Sequence, residues 1–357
     1  MGLVKNRAAV SAALAALTAA ALFGASAPLS KLLLENIEPV PMAALLYLGS
    51  GIGTILFRLP LGWGKDRQPQ ETALSRSDLP WLLGAVLSGG VAAPILLMIG
   101  LEHTPGATAS LLLNFETAAT SLIAFFAFRE AVGRKVWAAI GLVTAASILL
   151  SWDPAGGWGF SAGSLAVLGA CALWGLDNNF TRHISAKDPR TIVTIKGLVA
   201  GSFSAMLALL AGQRLPVGID LLLALLLGAM SYGLSITLFI LALRGLGAAR
   251  TSALFGSAPF AGMLLSLILL GERPEPIFLP ALALMVAGAW LLLSEDHGHW
   301  HLHESILHDH RHAHDAHHEH QGSSAGEHAH AHTHAPTQHD HDHNPDLHHR
   351  HEHSDES

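Results

Sequence analysis

Residues 101–130 read LEHTPGATASLLLNFETAATSLIAFFAFRE, and residues 243–272 read LRGLGAARTSALFGSAPFAGMLLSLILLGE. The two align without a gap at an offset of 142. Leu101, Ala107, Ser110, Leu112, Ala119, Leu122 and Glu130 recur as Leu243, Ala249, Ser252, Leu254, Ala261, Leu264 and Glu272. An earlier pair, AALFGASAPLSK at 20–31 and CALWGLDNNFTR at 171–182, aligns at an offset of 151. The change in offset falls where WGKDRQPQETALSRSD, in the loop over 60–79, has no long counterpart. The chain is therefore two related halves.

Outward from these stretches, apolar runs fill the chain to Leu293. A helix needs about 20 apolar residues to cross the hydrocarbon core. Ten runs of that kind are expected, near 8–30, 40–59, 80–100, 106–128, 135–152, 161–181, 190–211, 219–243, 250–270 and 276–294. They are continuous rather than alternating, which excludes a membrane β-barrel. They are also rich in small residues (SGGVAAP, GATAS, GLVAGSFSA), which lets helices approach closely in lipid. Lys5 and Arg7 before an apolar run ending in Ala25-Ser26-Ala27 resemble a secretory signal peptide. The repeat argues against that reading, because the second copy, at 171–182, lies mid-chain.

Five spans per half is an odd number, so the halves enter the membrane from opposite sides. That is an inverted repeat, an architecture of secondary transporters. With the N-terminus in the cytoplasm, sixteen basic residues fall on inside segments. Lys31, Arg214 and Arg273 fall outside, and Lys196 lies within a span. The positive-inside rule therefore puts both termini in the cytoplasm, with 60–79 inside and 101–106 outside.

Composition agrees. The chain is 51% apolar and 13% charged, against about a quarter charged in soluble domains. Soluble enzymes, nucleic-acid binders and disulfide scaffolds are not expected on this ground, and the single Cys171 has no internal partner. No GxxxxGK[ST] loop is present, nor a Ser/His/Asp or Cys/His set, so neither ATP hydrolysis nor covalent catalysis is expected.

Two five-span copies opening on ALFGASAPLSK and ALWGLDNNFTR, each with a small-residue helix ending in FRE or LGE, resemble the EamA-type transporters of the drug/metabolite transporter superfamily. The resemblance covers about 8–294. It implies an all-α integral membrane protein of ten helices, a five-helix unit over 8–152 and another over 161–294. It also implies cytoplasmic termini in an inner (plasma) membrane, and a central cavity reached alternately from each side. Its expected cargo is a small metabolite or drug, exported or exchanged. The chain departs from the family pattern where Ala258-Pro259 stands opposite Glu116-Thr117, and in its histidine-rich tail.

Ionisable groups inside spans are costly and mostly line pathways. Glu116 lies near the middle of the fourth span and is the clearest candidate, as a cavity carboxylate for a cation, a coupling proton or the solute. Asp177, Asn178 and Asn179 lie near the cytoplasmic end of the sixth span. Lys196 lies at similar depth in the seventh. It can pair with Asp177, or reach toward Glu116 by virtue of its long stem. Trp174 is read as packing or as a cavity wall. Pro28, Pro94 and Pro259 are expected to kink their spans and free carbonyls. Glu130 and Glu272 are read as structural residues at helix ends. His103 and His183 are read as solvated at span ends.

Residues 297–357 hold 22 of the 24 histidines and carry the net negative charge of the chain. Almost no large apolar residue follows Leu307, so this cytoplasmic tail is expected to be disordered. Its histidines recur at every second position: His308, His310, His312 and His314; His328, His330, His332 and His334; His339, His341 and His343. Imidazole suits Zn, Ni, Co and Cu. The tail is therefore expected to bind divalent transition metals, while the body requires no cofactor.

The leading expectation is a secondary exporter of a small organic solute, embedded in the lipid bilayer as a monomer or homodimer and binding no nucleic acid. The alternative is a transition-metal transporter with the tail as collector or sensor. Against it, the spans hold no paired His/Asp/Cys set at helical spacing.

Overall fold

The computed structural model describes residues 2–57, 74–129, 132–153, 160–185, 187–246, 248–293, 298–303, 307–312, 328–333 and 337–342. Regular structure before residue 294 is helical. The first half consists of α1 (Gly2–Gly24), α2 (Ser26–Leu33), α3 (Pro39–Leu56), α4 (Leu79–Ala85), a π-helical turn over Val86–Ala92, α5 (Ala93–His103), α6 (Gly106–Leu112), α7 (Phe115–Phe128) and α8 (Arg134–Ser151). The second consists of α9 (Ala162–Arg182), α10 (Pro189–Leu210), α11 (Ile219–Gly228), a π-helical turn over Ala229–Leu234, α12 (Ser235–Leu246), α13 (Ala248–Phe255), α14 (Ala258–Leu269) and α15 (Phe278–Leu293).

Seven of the expected spans are helices long and apolar enough to cross a membrane, the last being Ile219–Leu243. The other three lie on α9, which carries Asp177 and its asparagines, on the broken α13–α14 and on α15, the latter two holding only shorter apolar helices. Large apolar side chains stand outward, with Phe126 73%, Leu210 77% and Ile268 76% exposed. Such a surface is stable only against lipid or a partner.

The packing is mated between halves. α1 lies on α12, and its repeat counterpart α9 lies on α5. α10 lies against the first π-turn, and its counterpart α3 against the second. Along the line relating the halves, α3 meets α10 and α8 meets α15. At the α3–α10 crossing a Cβ on Gly197 would fall 2.5 Å from the Gly51 backbone nitrogen, so only glycine permits this approach.

The spans are less continuous than hydropathy implies. Expected span 8–30 is broken at Ala25 and runs on to Leu33. The fourth span breaks at Leu113-Asn114, and the ninth at Gly256-Ser257, one residue beyond the equivalent place. The third and eighth each contain a π-turn at corresponding positions. Pro28 and Pro259 sit in the first turn of the segment after a break, where a missing N–H costs nothing. Pro94 instead follows the first π-turn within a continuous helix, where its missing N–H leaves a carbonyl without its ladder donor.

In the tail, the described residues trace four strands: β1 (Gly298–His303), β2 (Leu307–His312), β3 (His328–Thr333) and β4 (Thr337–Asp342). They pair antiparallel as β1 with β4 and β2 with β3. Low apolar content prevents a core, but the period-two pattern suits an extended strand with alternating faces.

Candidate functional site

The discontinuous segments meet at the centre of the bundle. In the first π-turn the Ala93 N–H reaches back five residues to the Ser88 carbonyl. Residue 94 is proline, so the Gly89 carbonyl has neither its four-residue nor its five-residue ladder donor. It is satisfied from outside the helix, accepting from the Tyr47 hydroxyl at 2.5 Å and from Trp174 Nε1 at 3.0 Å. Trp174 is thus a buried packing residue fixed by this bond. The second π-turn carries Tyr232, whose ring centroid lies 5.9 Å from that of Tyr47. These are the only two tyrosines in the chain. Sequence reading missed both, although their scarcity and mid-span positions were a usable signal.

Behind Tyr47, Lys196 on α10 donates to both oxygens of Asp177 on α9, at 2.7 and 2.6 Å. Thr181 donates to Asp177 Oδ1 at 3.0 Å. Asp177 is 5% exposed, and a Cβ on Gly89 would overlap its carboxylate. Glycine at 89 makes room for the ion pair. Of the two partners open to Lys196, the structure therefore selects Asp177.

Glu116 sits apart from that pair. It occupies the first turn of the half-helix α7, where the N-terminal dipole favours a carboxylate. Its Oε1 accepts from Asn178 Nδ2 at 2.9 Å. Asn178 also donates to Thr120 Oγ1 at 3.2 Å. Asn179 donates to the Gly175 and Thr120 carbonyls at 2.8 and 3.1 Å, which ties α9 to α7. Pro259 opens α14 at the position equivalent to Thr117 and faces none of these groups with a polar atom. His183 is not simply solvated: its ring stacks on Trp81 with centroids 3.9 Å apart, and Nδ1 lies 2.9 Å from the Asn179 carbonyl. His103 is exposed at its helix end, as expected.

A cavity of about 250 Å³ opens beside the pair, lined by Tyr47, Ser50, Thr181, Ser185, Pro189, Ile192, Val193, Lys196, Gly197, Tyr232 and Ile236. Both halves contribute. It lies toward the turn joining α9 and α10. The other end of α9 is elsewhere: Gly163 packs on His103 and Thr104. A helix of 21 residues spans about 30 Å, so that end belongs to the opposite face. There Lys31 donates to the Leu101 and Thr104 carbonyls, both at 2.6 Å. Glu272 accepts from the N–H groups of Gly106 at 2.5 Å and Ala107 at 2.8 Å. The turn between α5 and α6 is thus fastened by one cation and one anion, each complementing a helix end. Glu272 is the structural helix-end residue read from sequence. Glu130 lies outside the described residues.

Among the described residues no group of three or more His, Cys, Asp or Glu side chains is arranged to hold a metal. In the tail, backbone register sets His308 opposite His332, His310 opposite His330 and His312 opposite His328. It also sets His341 opposite His299 and His339 opposite His301. His314, His334 and His343 lie outside the described residues.

Comparison with known proteins places this arrangement. A protein of Methanothermobacter thermautotrophicus described as an uncharacterized transporter is 28% identical over 272 residues, which cover 72% of this chain and 78% of its own. A protein crystal structure of 22% identity superposes with a TM-score of 0.56, covering 79% of this chain and 96% of that one. At that identity the likeness is one of fold. The sequence profile of the EamA-like transporter family matches residues 10–152 and again residues 161–294. The chain belongs to the EamA-like transporter family, with one copy of the family unit in each half.

Proposed function

We propose that the protein is a ten-span secondary transporter that carries a small organic solute out across the cytoplasmic membrane by alternating access, with both termini cytoplasmic. The observation that carries this reading is the cavity itself. Helices of both repeats build it around a buried ion pair, and the turn on the opposite face is fastened by Lys31 and Glu272. A cavity open toward one face, with the other face latched, supports one end-state of an alternating cycle. In this reading the solute occupies the hollow beside Lys196. Glu116, held by Asn178 on a half-helix N-terminus, is the group for a coupling proton.

A second reading is metal transport or metal regulation through the tail. The tail register favours it, since it pairs histidine positions across β2 and β3 at every second residue, and imidazole is a ligand for such ions. Among the described residues of the body no such group is gathered, so in this reading the tail serves as a sensor or collector of Zn, Ni, Co or Cu.

Proteoliposomes bearing the full chain test the two readings. Counterflow is measured with a panel of small organic anions, cations and zwitterions, and in parallel with Zn²⁺, Ni²⁺ and Co²⁺. Saturable exchange of an organic solute and none of the metals is expected. Saturable metal flux with no organic exchange would reverse the order of the readings.

A further inference from the structure

We propose that the cavity takes a small organic anion with an apolar body, and that one proton enters with it. The proposal rests on the transporter reading only in taking this cavity as the solute site.

Lys196 is the only charged residue among those lining the cavity, and no carboxylate joins it there. Its partner Asp177 is buried behind it, against Gly89. A solute arriving from the Thr181–Pro189 side therefore meets the ammonium before the carboxylate. Of the hydroxyls nearby, Tyr47 donates to Gly89, Thr181 to Asp177, and Ser185 to the Arg182 carbonyl. Ser50 and Tyr232, which also line the hollow, offer neutral hydroxyls, so Lys196, as the one cation, is the strongest donor facing it. The remaining wall is Ile192, Val193, Ile236 and the rings of Tyr47 and Tyr232, tilted 35° to each other. These surfaces suit an apolar or aromatic body. A hollow of about 250 Å³ equals roughly eight waters at ~30 Å³ each, which fits a solute of about ten non-hydrogen atoms.

Such an anion competes with Asp177 for one ammonium. When Lys196 turns to the solute, Asp177 keeps only the Thr181 hydroxyl. A buried carboxylate without its counter-ion is costly, and the group relieves this by taking a proton. The titratable groups around Asp177 are Glu116 on α7, itself acidic, the neutral Tyr47 on α3 and Tyr232 on the second π-turn, Arg182 and His183 at the end of α9, the latter stacked on Trp81, and Arg190 in the first turn of α10. The shortest bonds to the carboxylate are those from Lys196. The charges balance: the solute anion pairs with Lys196, Asp177 carries the proton, and the site gains no net charge.

The test uses the full chain in detergent and three probes of matched size: benzenesulfonate, benzyl alcohol and benzyltrimethylammonium. Binding is read as the shift in thermal unfolding midpoint across a titration. Benzenesulfonate should bind and the other two should not. Its affinity should rise by up to about tenfold per pH unit as pH falls, the slope for one proton bound per anion. Lys196→Gln should abolish binding. Asp177→Asn should bind more tightly and lose the pH slope; if that variant does not fold, the wild-type slope carries the test. Preference for the cation, binding that survives Lys196→Gln, a flat pH profile, or no binding by any probe would each overturn the proposal. Exchange of some other solute class in proteoliposomes alongside such a failure would leave the transporter reading standing. Anion binding without any exchange would do the reverse.

Discussion

The Glu272 carboxylate, on the second repeat, accepts the Gly106 N–H of the first at 2.5 Å and the adjoining Ala107 N–H at 2.8 Å. This bond ties the halves together on the face away from the cavity. Capping groups of this kind contribute about 0.5–2 kcal/mol. Glu272→Ala should lower the unfolding free energy of the detergent-purified protein by that order, read as a lower unfolding midpoint. Glu272→Gln, which keeps an acceptor but no charge, should cost less. Equal losses from the two variants would show that only side-chain packing matters there.

Tyr47 and Pro94 form a second testable relation. The Gly89 carbonyl needs Tyr47 because Pro94 offers it no N–H. Tyr47→Phe should cost about 0.5–1.5 kcal/mol, the usual net value of one hydrogen bond. In a Pro94→Ala background, where a backbone donor returns to the ladder, the same change should cost less. A double-mutant cycle on thermal stability measures the difference. Strict additivity would mean that the proline is not what orphans the carbonyl.

The repeat was legible because small and apolar residues recur between 101–130 and 243–272 in register. The helix breaks within those same stretches were not. Hydropathy stays high through Leu113-Asn114 and through Gly256-Ser257, and it does not register a change in backbone hydrogen bonding. Only the shared offset, with Asn114 standing where the second copy has Gly256, hinted at them. Pro94 marked the first π-turn, but Ile236 holds the equivalent place after the second and gives no sign. At the site, Glu116, Asp177 and Lys196 stood out because charge is costly in hydrocarbon. Depth alone left two partners for Lys196. Spacing along one helix does not fix which neighbour packs beside it, and the choice of Asp177 depended on the room made by Gly89.

Glu116→Gln keeps the shape and the contact to Asn178 while removing the charge. The variant should reach the membrane at near-normal levels, since a neutral side chain is less costly to insert. Its transport in proteoliposomes should fall by about an order of magnitude, and the pH profile should lose the limb that Glu116 contributes while keeping the one set by Asp177. Unchanged transport with an unchanged pH profile would make Glu116 a structural residue.

The tail should be separable. A chain ending at Ser294 should still insert and fold. The isolated tail should take up zinc in calorimetry at pH 7.5, through histidines that titrate near pH 6.5. Imidazole binds metal only when neutral, so affinity should collapse as pH falls from about 7 to 5. No zinc uptake at pH 7.5 would remove the metal reading altogether.

The central claim is that one cavity between the two repeats opens to each side of the membrane in turn. Ile236 lines that cavity, and Cys171, the one native cysteine, is buried. In a Cys171→Ser, Ile236→Cys protein, a membrane-impermeant maleimide is applied from either face of oriented vesicles. Labelling from the cytoplasmic side and, in separate samples, from the opposite side is the predicted result, with no leak of the reagent across. Labelling from one face alone under every condition would contradict alternating access at this site.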